Sequence, residues 1–342
     1  MTVRPTDTLD APNPLLSICI PTFNRAEYLK KLLISIRDQT CQLNYEIRVR
    51  DNASTDHTES VFKEIAGDLD NWFYEKNINN LGGKANICLC TEGARGSYIY
   101  IVGDDDYFLP NAFSILDSLL KTAVIENVSS IFLNENIPHG KDKFVTKFKW
   151  LRYVSINVPA FITGVIWKAE VWLNYQYFDY PSEFSLPQLD CFIESCIEGQ
   201  TLLSNQVIFK ITHAQSTSDI NYWFVSRHAL VDCFEYPELY AKVLRCPDLD
   251  FLTFLFVYLR RILLLREIYK KILVMYYCQD FYKEVLFLFE KKHGSNLYGF
   301  TILLIKSFVF NSRLGNHLSK KYCEKRQNIQ ELSKQKSLSH TF

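Results

Sequence analysis

Several features are scarce in this chain of 342 residues, and each scarcity closes off a class of function. Neither sign of charge is in excess: 38 Lys and Arg stand against 38 Asp and Glu. Without a global basic field a nucleic-acid backbone finds no electrostatic hold, so nucleic acid is not expected as a partner. No uncharged apolar run reaches the ~20 residues of a spanning helix. The opening MTVRPTDTLDAPNP has no apolar core of the kind a secretory signal carries, so residues 1–13 read as a disordered arm and a cytoplasmic location is expected. Paired CxxC motifs are absent, and the ten cysteines lie scattered, several inside apolar runs such as ICLC. Neither a zinc site nor a disulfide framework is expected, and the thiols read as small buried hydrophobes.

What is abundant is core material: 48% of the residues are hydrophobic and 15% aromatic. Leu15 to Ile20 forms a short apolar run, followed by Leu29, Leu32, Leu33 and Ile36 at helical spacing across Ala26 to Thr40. The alternation of YEIRVR (Tyr45 to Arg50) leads through DNASTDHT into a helical ESVFKEIAG, with Ser54, Thr55 or Asp56 as its cap. Strands are expected again at Trp72 to Lys76, Ser97 to Val102 and Ser129 to Asn134. Helices are expected from Lys84 to Ala94 and from Pro110, as first helical residue, to Thr122.

This alternation predicts an α/β fold with a mostly parallel open sheet covered by helices on both faces. Ligands of such sheets bind beyond the carboxyl ends of the strands, where the polar segments Pro21 to Arg25, Asp51 to Asp56 and Gly103 to Asp106 fall. The expected organisation is a catalytic domain over 14–215, divided into halves at 135/136, and a helical region over 216–342. From His228 to Leu288 the pattern is helical, apolar and dotted with Arg260, Arg261, Arg266, Lys270 and Lys271. That pattern suits contact with an anionic membrane surface and an ordinary packed subdomain equally.

GDDD, at Gly103 to Asp106, follows an apolar strand. Adjacent carboxylates repel unless positive charge sits among them. A hard divalent cation bridging to a substrate diphosphate would supply that charge. A solvated acidic turn ahead of the next helix is the plainer reading, and the triplet alone does not decide between them.

The order SICIPTFNRAEYLKKLL, RDNASTDHT, NNLGGKAN and SYIYIVGDDD resembles the N-terminal half of family 2 glycosyltransferases, and within them the abequosyltransferase-like branch of bacterial O-antigen assembly. The resemblance covers Leu15 to Leu120 well and the remainder loosely. It implies a GT-A fold and an inverting transfer of a sugar, such as a deoxyhexose, from a nucleotide-sugar donor. The acceptor it implies is a hydroxyl of a lipid-linked oligosaccharide at the cytosolic face of an inner membrane, with Mn²⁺ or Mg²⁺ as cofactor.

Carried over by residue, the resemblance places Pro21, Thr22 and Asn24 against the nucleotide and gives Asp51 a hydrogen bond from the base. Asn52, Gly82, Lys84 and Asn86 are further donor contacts, although turn, cap and helix duties would also explain them. Asp106 would hold the metal, with Asp104 or Asp105 on ribose or sugar. Gly103 departs from the Asp-x-Asp-Asp of many relatives, a departure shared by the abequosyltransferase-like branch. Asp190, in SLPQLDCFIE, is the expected base, with Glu183 and Glu194 as rivals and a helix cap as its plainer duty. His213, in KITHAQSTS, is a second metal or phosphate ligand on the same resemblance. A nucleotidyltransferase and an inactive sugar-binding scaffold of the same fold are the alternatives. The first would need a glycine-rich basic loop after the opening strand, where PTFNRAEY has only Arg25.

Overall fold

The structure, a computed structural model, describes residues 13–40, 42–67, 69–134, 162–174 and 199–210, together with 137, 143–146, 149, 188, 191–192, 195, 243–246 and 249–259. The chain divides into two compact units, one of Met1–His213 with Arg245–Phe256 and the other of Ala214–Leu244 with Val257–Phe342. The described elements β1 to β10 and α1 to α5 belong to the first.

Apolar runs bounded by turn residues become strands. These are β1 (Leu16–Thr22), β2 (Tyr45–Asp51), β3 (Trp72–Lys76), β4 (Tyr98–Ile101), β5 (Tyr107–Phe108), β6 (Ser130–Leu133), β7 (Lys143–Thr146), β8 (Val165–Lys168), β9 (Gln200–Ser204) and β10 (Phe209–Lys210). Eight of them form one sheet in the order β3-β2-β1-β4-β8-β6-β9-β7. The half β3-β2-β1-β4 is parallel throughout. β6 and β9 are also parallel, whereas β8 runs antiparallel to β4 and β6, and β7 antiparallel to β9. The expected α/β sheet is present, mixed in its second half. β5 and β10 pair as a separate antiparallel ribbon.

The crossover helices of the parallel half are α1 (Ala26–Arg37), α2 (Thr58–Ala66) and α3 (Gly83–Leu89), and α4 (Ala112–Ile125) and α5 (Ala169–Asn174) follow. α1 buries Ala26, Leu29, Leu32, Leu33 and Ile36, the face anticipated from their spacing. Each fully buried Leu or Ile contributes about 1.5–3 kcal/mol. Asp56 caps two helices at once: its Oδ1 accepts from the Thr58 N–H at 3.1 Å, and its Oδ2 from the Ala26 N–H at 3.1 Å. One side chain thus ties the start of α1 to the start of α2, next to the ends of β1 and β2.

Two helix boundaries differ from expectation. α4 begins at Ala112, not Pro110, because Asn111 adopts a left-handed conformation (φ 64°) that interrupts the helical path. α3 ends at Leu89 rather than Ala94: the Thr91 hydroxyl bonds back to the Cys88 carbonyl at 2.8 Å and accepts the Trp172 indole N–H at 2.9 Å, which draws the chain into a turn.

The core holds many tyrosines whose hydroxyls are kept protonated. Tyr98 donates to the Val128 carbonyl at 3.1 Å, and burial pushes its hydroxyl up to about 12. Burial likewise raises Tyr45, Tyr74 and Tyr100, with Asp51 adding to the effect at Tyr74 and Asp106 at Tyr100. The unfolded chain gives up these protons near pH 10 while the fold retains them, so their contribution to stability is complete below about pH 10 and is lost as pH rises through the folded values. The unfolding free energy from urea titration is expected to fall between about pH 10 and pH 11, by as much as ~1.4 kcal/mol per pH unit for each tyrosine that keeps its proton. A flat free energy over that range would contradict the assignment.

Candidate active site

The carboxyl ends of β1, β2 and β4 meet in one place. Parallel register sets Thr22 of β1 beside Asp51 of β2, and the Val102 N–H bonds to the Cys19 carbonyl, carrying β4 on toward Gly103. Thr22, Asn24, Asp51, Asn52, Asn86 and Asp104 are joined here by hydrogen bonds, directly or through one intermediary.

Asp104 is the buried centre of the cluster, with a side chain 5% exposed. Its Oδ2 accepts from the Thr22 hydroxyl at 2.8 Å and its Oδ1 from Arg25 Nη1 at 2.9 Å. Burial pushes this carboxyl up, and the Arg25 charge and then the Thr22 hydroxyl pull against that. Asp105 is more open, its Oδ2 lying 3.4 Å from Arg25 Nη1. Asp106 is buried, and its Oδ2 accepts from the Thr163 hydroxyl at 2.6 Å. Thr163 Oγ1 also accepts the Gly103 N–H at 3.0 Å. A Cβ on Gly103 would sit 3.2 Å from carboxylate oxygens of both Asp105 and Asp106, so the glycine leaves these two side chains their room.

Asp51 is fully buried, and both of its oxygens are engaged. Oδ1 accepts the Ser54 N–H at 2.9 Å and Oδ2 the Tyr74 hydroxyl at 2.5 Å, with Lys76 Nζ 3.8 Å away. Removing the hydroxyl in Tyr74→Phe takes one hydrogen bond from this buried carboxyl, and a loss of about 1–3 kcal/mol is expected in the unfolding free energy. A change below about 0.5 kcal/mol would mean that Asp51 finds another donor.

Asparagines hold the surrounding turns. Asn52 Oδ1 accepts from Asn77 Nδ2 at 3.0 Å and from the Leu81 N–H at 2.9 Å, while its own amide donates to Asn80 Oδ1 at 2.8 Å. Asn77 Nδ2 donates also to Asn86 Oδ1 at 3.0 Å, and Asn86 Nδ2 donates to the Arg50 carbonyl at 3.1 Å. Asn24 Oδ1 accepts the Thr55 N–H at 2.8 Å, and the Asn24 N–H bonds to the Ser54 hydroxyl at 2.8 Å. Asn24 (φ 51°) and Ala53 (φ 66°) both adopt left-handed backbone at these strand ends, and strain of this sort collects at functional sites. Gly82 (φ 85°) occupies a conformation that side chains disfavour, which explains the glycine at the entry to α3. Lys84 lies in the first turn of α3, and Pro21 is partly buried within β1, opposite Arg50.

Asp190, Glu183, Glu194 and His213 lie outside the described residues. Three participants were given no role by the sequence. Thr163 stands 57 residues from the aspartate that it holds, Tyr74 reaches Asp51 from the neighbouring strand, and Arg25 supplies the positive charge that the aspartate triplet calls for. Arg25 was the one with a clue, since it follows the first motif directly.

The donor set suits Mn²⁺ or Mg²⁺ in one respect, being composed of hard carboxylate oxygens. Among the described residues no group of three or more His, Cys, Asp or Glu side chains is placed to hold a metal by itself. Ions of the Mg²⁺ type are commonly bound by one or two carboxylates together with substrate phosphates, and Asp105 with Asp106 fits that open arrangement.

Residues 17–152 match the family model for Glycosyl transferase family 2, so the resemblance carried by the four motifs is borne out over that stretch. Among curated relatives, the abequosyltransferase RfbV of Salmonella typhimurium is 39% identical over 115 residues, which are 31% of this chain and 32% of that protein. The GalNAc(5)-diNAcBac-PP-undecaprenol beta-1,3-glucosyltransferase of Campylobacter jejuni is 36% identical over 104 residues, 30% of this chain and 33% of its own. The chain thus spans about a third of the length of these relatives. Among solved structures, S. aureus TarS 1-349 in complex with UDP-GlcNAc superposes with a TM-score of 0.51 at 17% identity, over 75% of this chain and 72% of that one. The mannosyltransferase PcManGT from Pyrobaculum calidifontis, in complex with GDP-Man and Mn²⁺, gives 0.50 at 15% identity, over 91% and 85%. At such identities these likenesses bear on the fold alone, which is of the expected GT-A kind. No described helix is long and apolar enough to cross a membrane.

Proposed function

We propose that this chain is a glycosyltransferase that moves a sugar, with inversion, from a nucleotide-sugar donor to a hydroxyl of a lipid-linked oligosaccharide in the assembly of a bacterial surface polysaccharide. The observation that carries the reading is the convergence of Thr22, Asp51 and Asp104 at the carboxyl ends of β1, β2 and β4. In an open α/β sheet this is where a nucleotide binds. The name of the Campylobacter relative supports the acceptor class, that of the Salmonella relative supports sugar transfer, and the ligands in the titles of the TarS and PcManGT structures support the donor class.

In this reading Asp51, fixed by Ser54 and Tyr74, faces the base, and the Asn52–Asn77–Asn86 network keeps the intervening loops in place around the nucleotide. Pro21, Thr22, Asn24, Gly82 and Lys84 line the approach. Asp104, held by Thr22 and Arg25, serves ribose or sugar. A divalent cation held by Asp105 and Asp106, with His213 as a further ligand, would neutralise charge on the departing diphosphate. Asp190 takes the proton from the acceptor hydroxyl as that oxygen attacks the anomeric carbon from the face opposite the diphosphate. The enzyme works at the cytosolic face of the inner membrane, and the region beyond residue 216 serves association with the membrane or acceptor.

The test is a panel of CDP, UDP, GDP and dTDP sugars, offered with a lipid-linked oligosaccharide fraction in Mn²⁺ and in EDTA. Release of one nucleoside diphosphate that depends on acceptor and on Mn²⁺ is expected. A folded protein that binds a donor but transfers nothing to any acceptor would favour the inactive scaffold instead.

A further inference from the structure

The cation among the aspartates belongs to the protein itself, and its neighbours hold it unequally. Asp104 is anchored on both oxygens, to Thr22 and to Arg25, and its side chain is 5% exposed. Arg25 is 36% exposed and Asp105 is 26% exposed, so both stand on the open side of the cluster. The contact of Arg25 with Asp105, at 3.4 Å, is looser than its 2.9 Å contact with Asp104. Arg25 can therefore change partners by rotating its own side chain, without disturbing the buried link between Thr22 and Asp104. Guanidinium also pairs with phosphate oxygens two at a time, as well as with carboxylates.

We propose that Arg25 is a donor-responsive latch: without donor it neutralises Asp104 and Asp105, and when donor binds it passes to the diphosphate and frees Asp105 for a divalent cation. This rests on the donor-site reading above. A divalent cation approaching Asp105 while Arg25 remains in place meets a like charge at close range. A diphosphate entering alone meets the carboxylates. Entering together, the cation cancels two charges of the diphosphate, all of them in a nucleotide sugar and all but about one in a free nucleoside diphosphate, so the net charge of the cluster changes far less than when either enters alone. Each ligand consequently favours the other, and by linkage the factor is the same in both directions. Arg25 acts here as a positioning residue, since it sets the order in which the two ligands are admitted.

The experiment measures Mn²⁺ binding by the electron paramagnetic resonance signal of the free ion, with and without the nucleoside diphosphate that binds tightest among CDP, UDP, GDP and dTDP. Wild type is compared with Arg25→Ala, Arg25→Gln and Arg25→Lys, all of full length. Without nucleotide, Arg25→Ala is expected to bind Mn²⁺ about 10-fold more tightly than wild type, and the coupling between Mn²⁺ and nucleotide to shrink by a similar factor. In EDTA the same variant binds nucleotide more weakly. Arg25→Gln gives the same pattern and serves if the alanine variant does not fold, whereas Arg25→Lys, still charged, keeps Mn²⁺ weak in the absence of nucleotide. The gain in metal affinity is the informative readout, because loss of a merely structural residue would not produce it. Unchanged or weaker Mn²⁺ binding in both neutral variants, with nucleotide still bound by wild type, overturns the latch and leaves the donor site standing. If wild type binds none of the four nucleotides, the donor-site reading itself falls and the latch falls with it.

Discussion

Asp104→Ala is expected to weaken nucleoside-diphosphate binding by at least about 100-fold and to lower stability by about 1.5–3 kcal/mol. Asp104 links the end of β1 to the end of β4 through Thr22 and gives the Arg25 guanidinium its closest carboxylate partner. Without the carboxylate, the buried Thr22 hydroxyl loses its acceptor and Arg25 loses its 2.9 Å partner, keeping the looser contact with Asp105 at 3.4 Å. The ends of β1 and β4 then lose their common fixed point. Asp104→Asn separates the contributions: it keeps an acceptor for one partner and loses the charge, so stability should fall less than affinity. Calorimetric titration and a urea midpoint on both variants check this. Nucleotide affinity within about 3-fold of wild type in both would remove Asp104 from the donor site.

The second large effect is on the acceptor side. Asp190→Asn is expected to slow transfer by about 10²–10⁴-fold while leaving nucleotide affinity unchanged, the signature of a lost general base rather than a lost binding contact. Asp190 itself lies outside the described residues, but its chain neighbours are anchored. Cys191 and Phe192 are helical and buried, Phe192 packs against Phe132 of β6 with ring centroids 5.6 Å apart, and the Ser195 hydroxyl donates to Ser130 of the same strand at 3.1 Å. Single-turnover rates with a bound donor separate chemistry from binding. Unchanged turnover would shift the role to Glu183 or Glu194.

The first half of the chain was legible for a physical reason. β1 and β4 are short apolar runs and β2 an alternating one, all ending in polar turns, and α1 shows its buried face in the spacing of Leu29, Leu32, Leu33 and Ile36. Strand ends and helix starts are where local chemistry is densest, so Thr22, Asp51 and the aspartate triplet could be read from short motifs. What escaped was contact made at long range. β8, inserted antiparallel between β4 and β6, is only four residues of VIWK inside an aromatic stretch without clear period, and Thr163 is delivered to Asp106 by the turn that precedes it. Arg25 and Asp104 lie 79 residues apart, and no periodicity reports such a pairing. The triplet's demand for positive charge was visible, whereas the internal source of that charge was not. The choice of cap was open in a similar way: Ser54, Thr55 and Asp56 all suit a helix start, and only the fold reveals that Asp56 serves two helices while Ser54 accepts the N–H of Asn24.

The central claim is that the carboxyl ends of β1, β2 and β4 form the donor site. The most direct measurement is a crystal structure with Mn²⁺ and the nucleoside diphosphate that binds tightest. The account predicts the base beside Asp51 and the diphosphate within reach of Arg25 and the Asp104 to Asp106 turn. A nucleotide bound elsewhere on the protein, with Asp51 and Asp104 keeping their present partners and no ligand beside them, would contradict it.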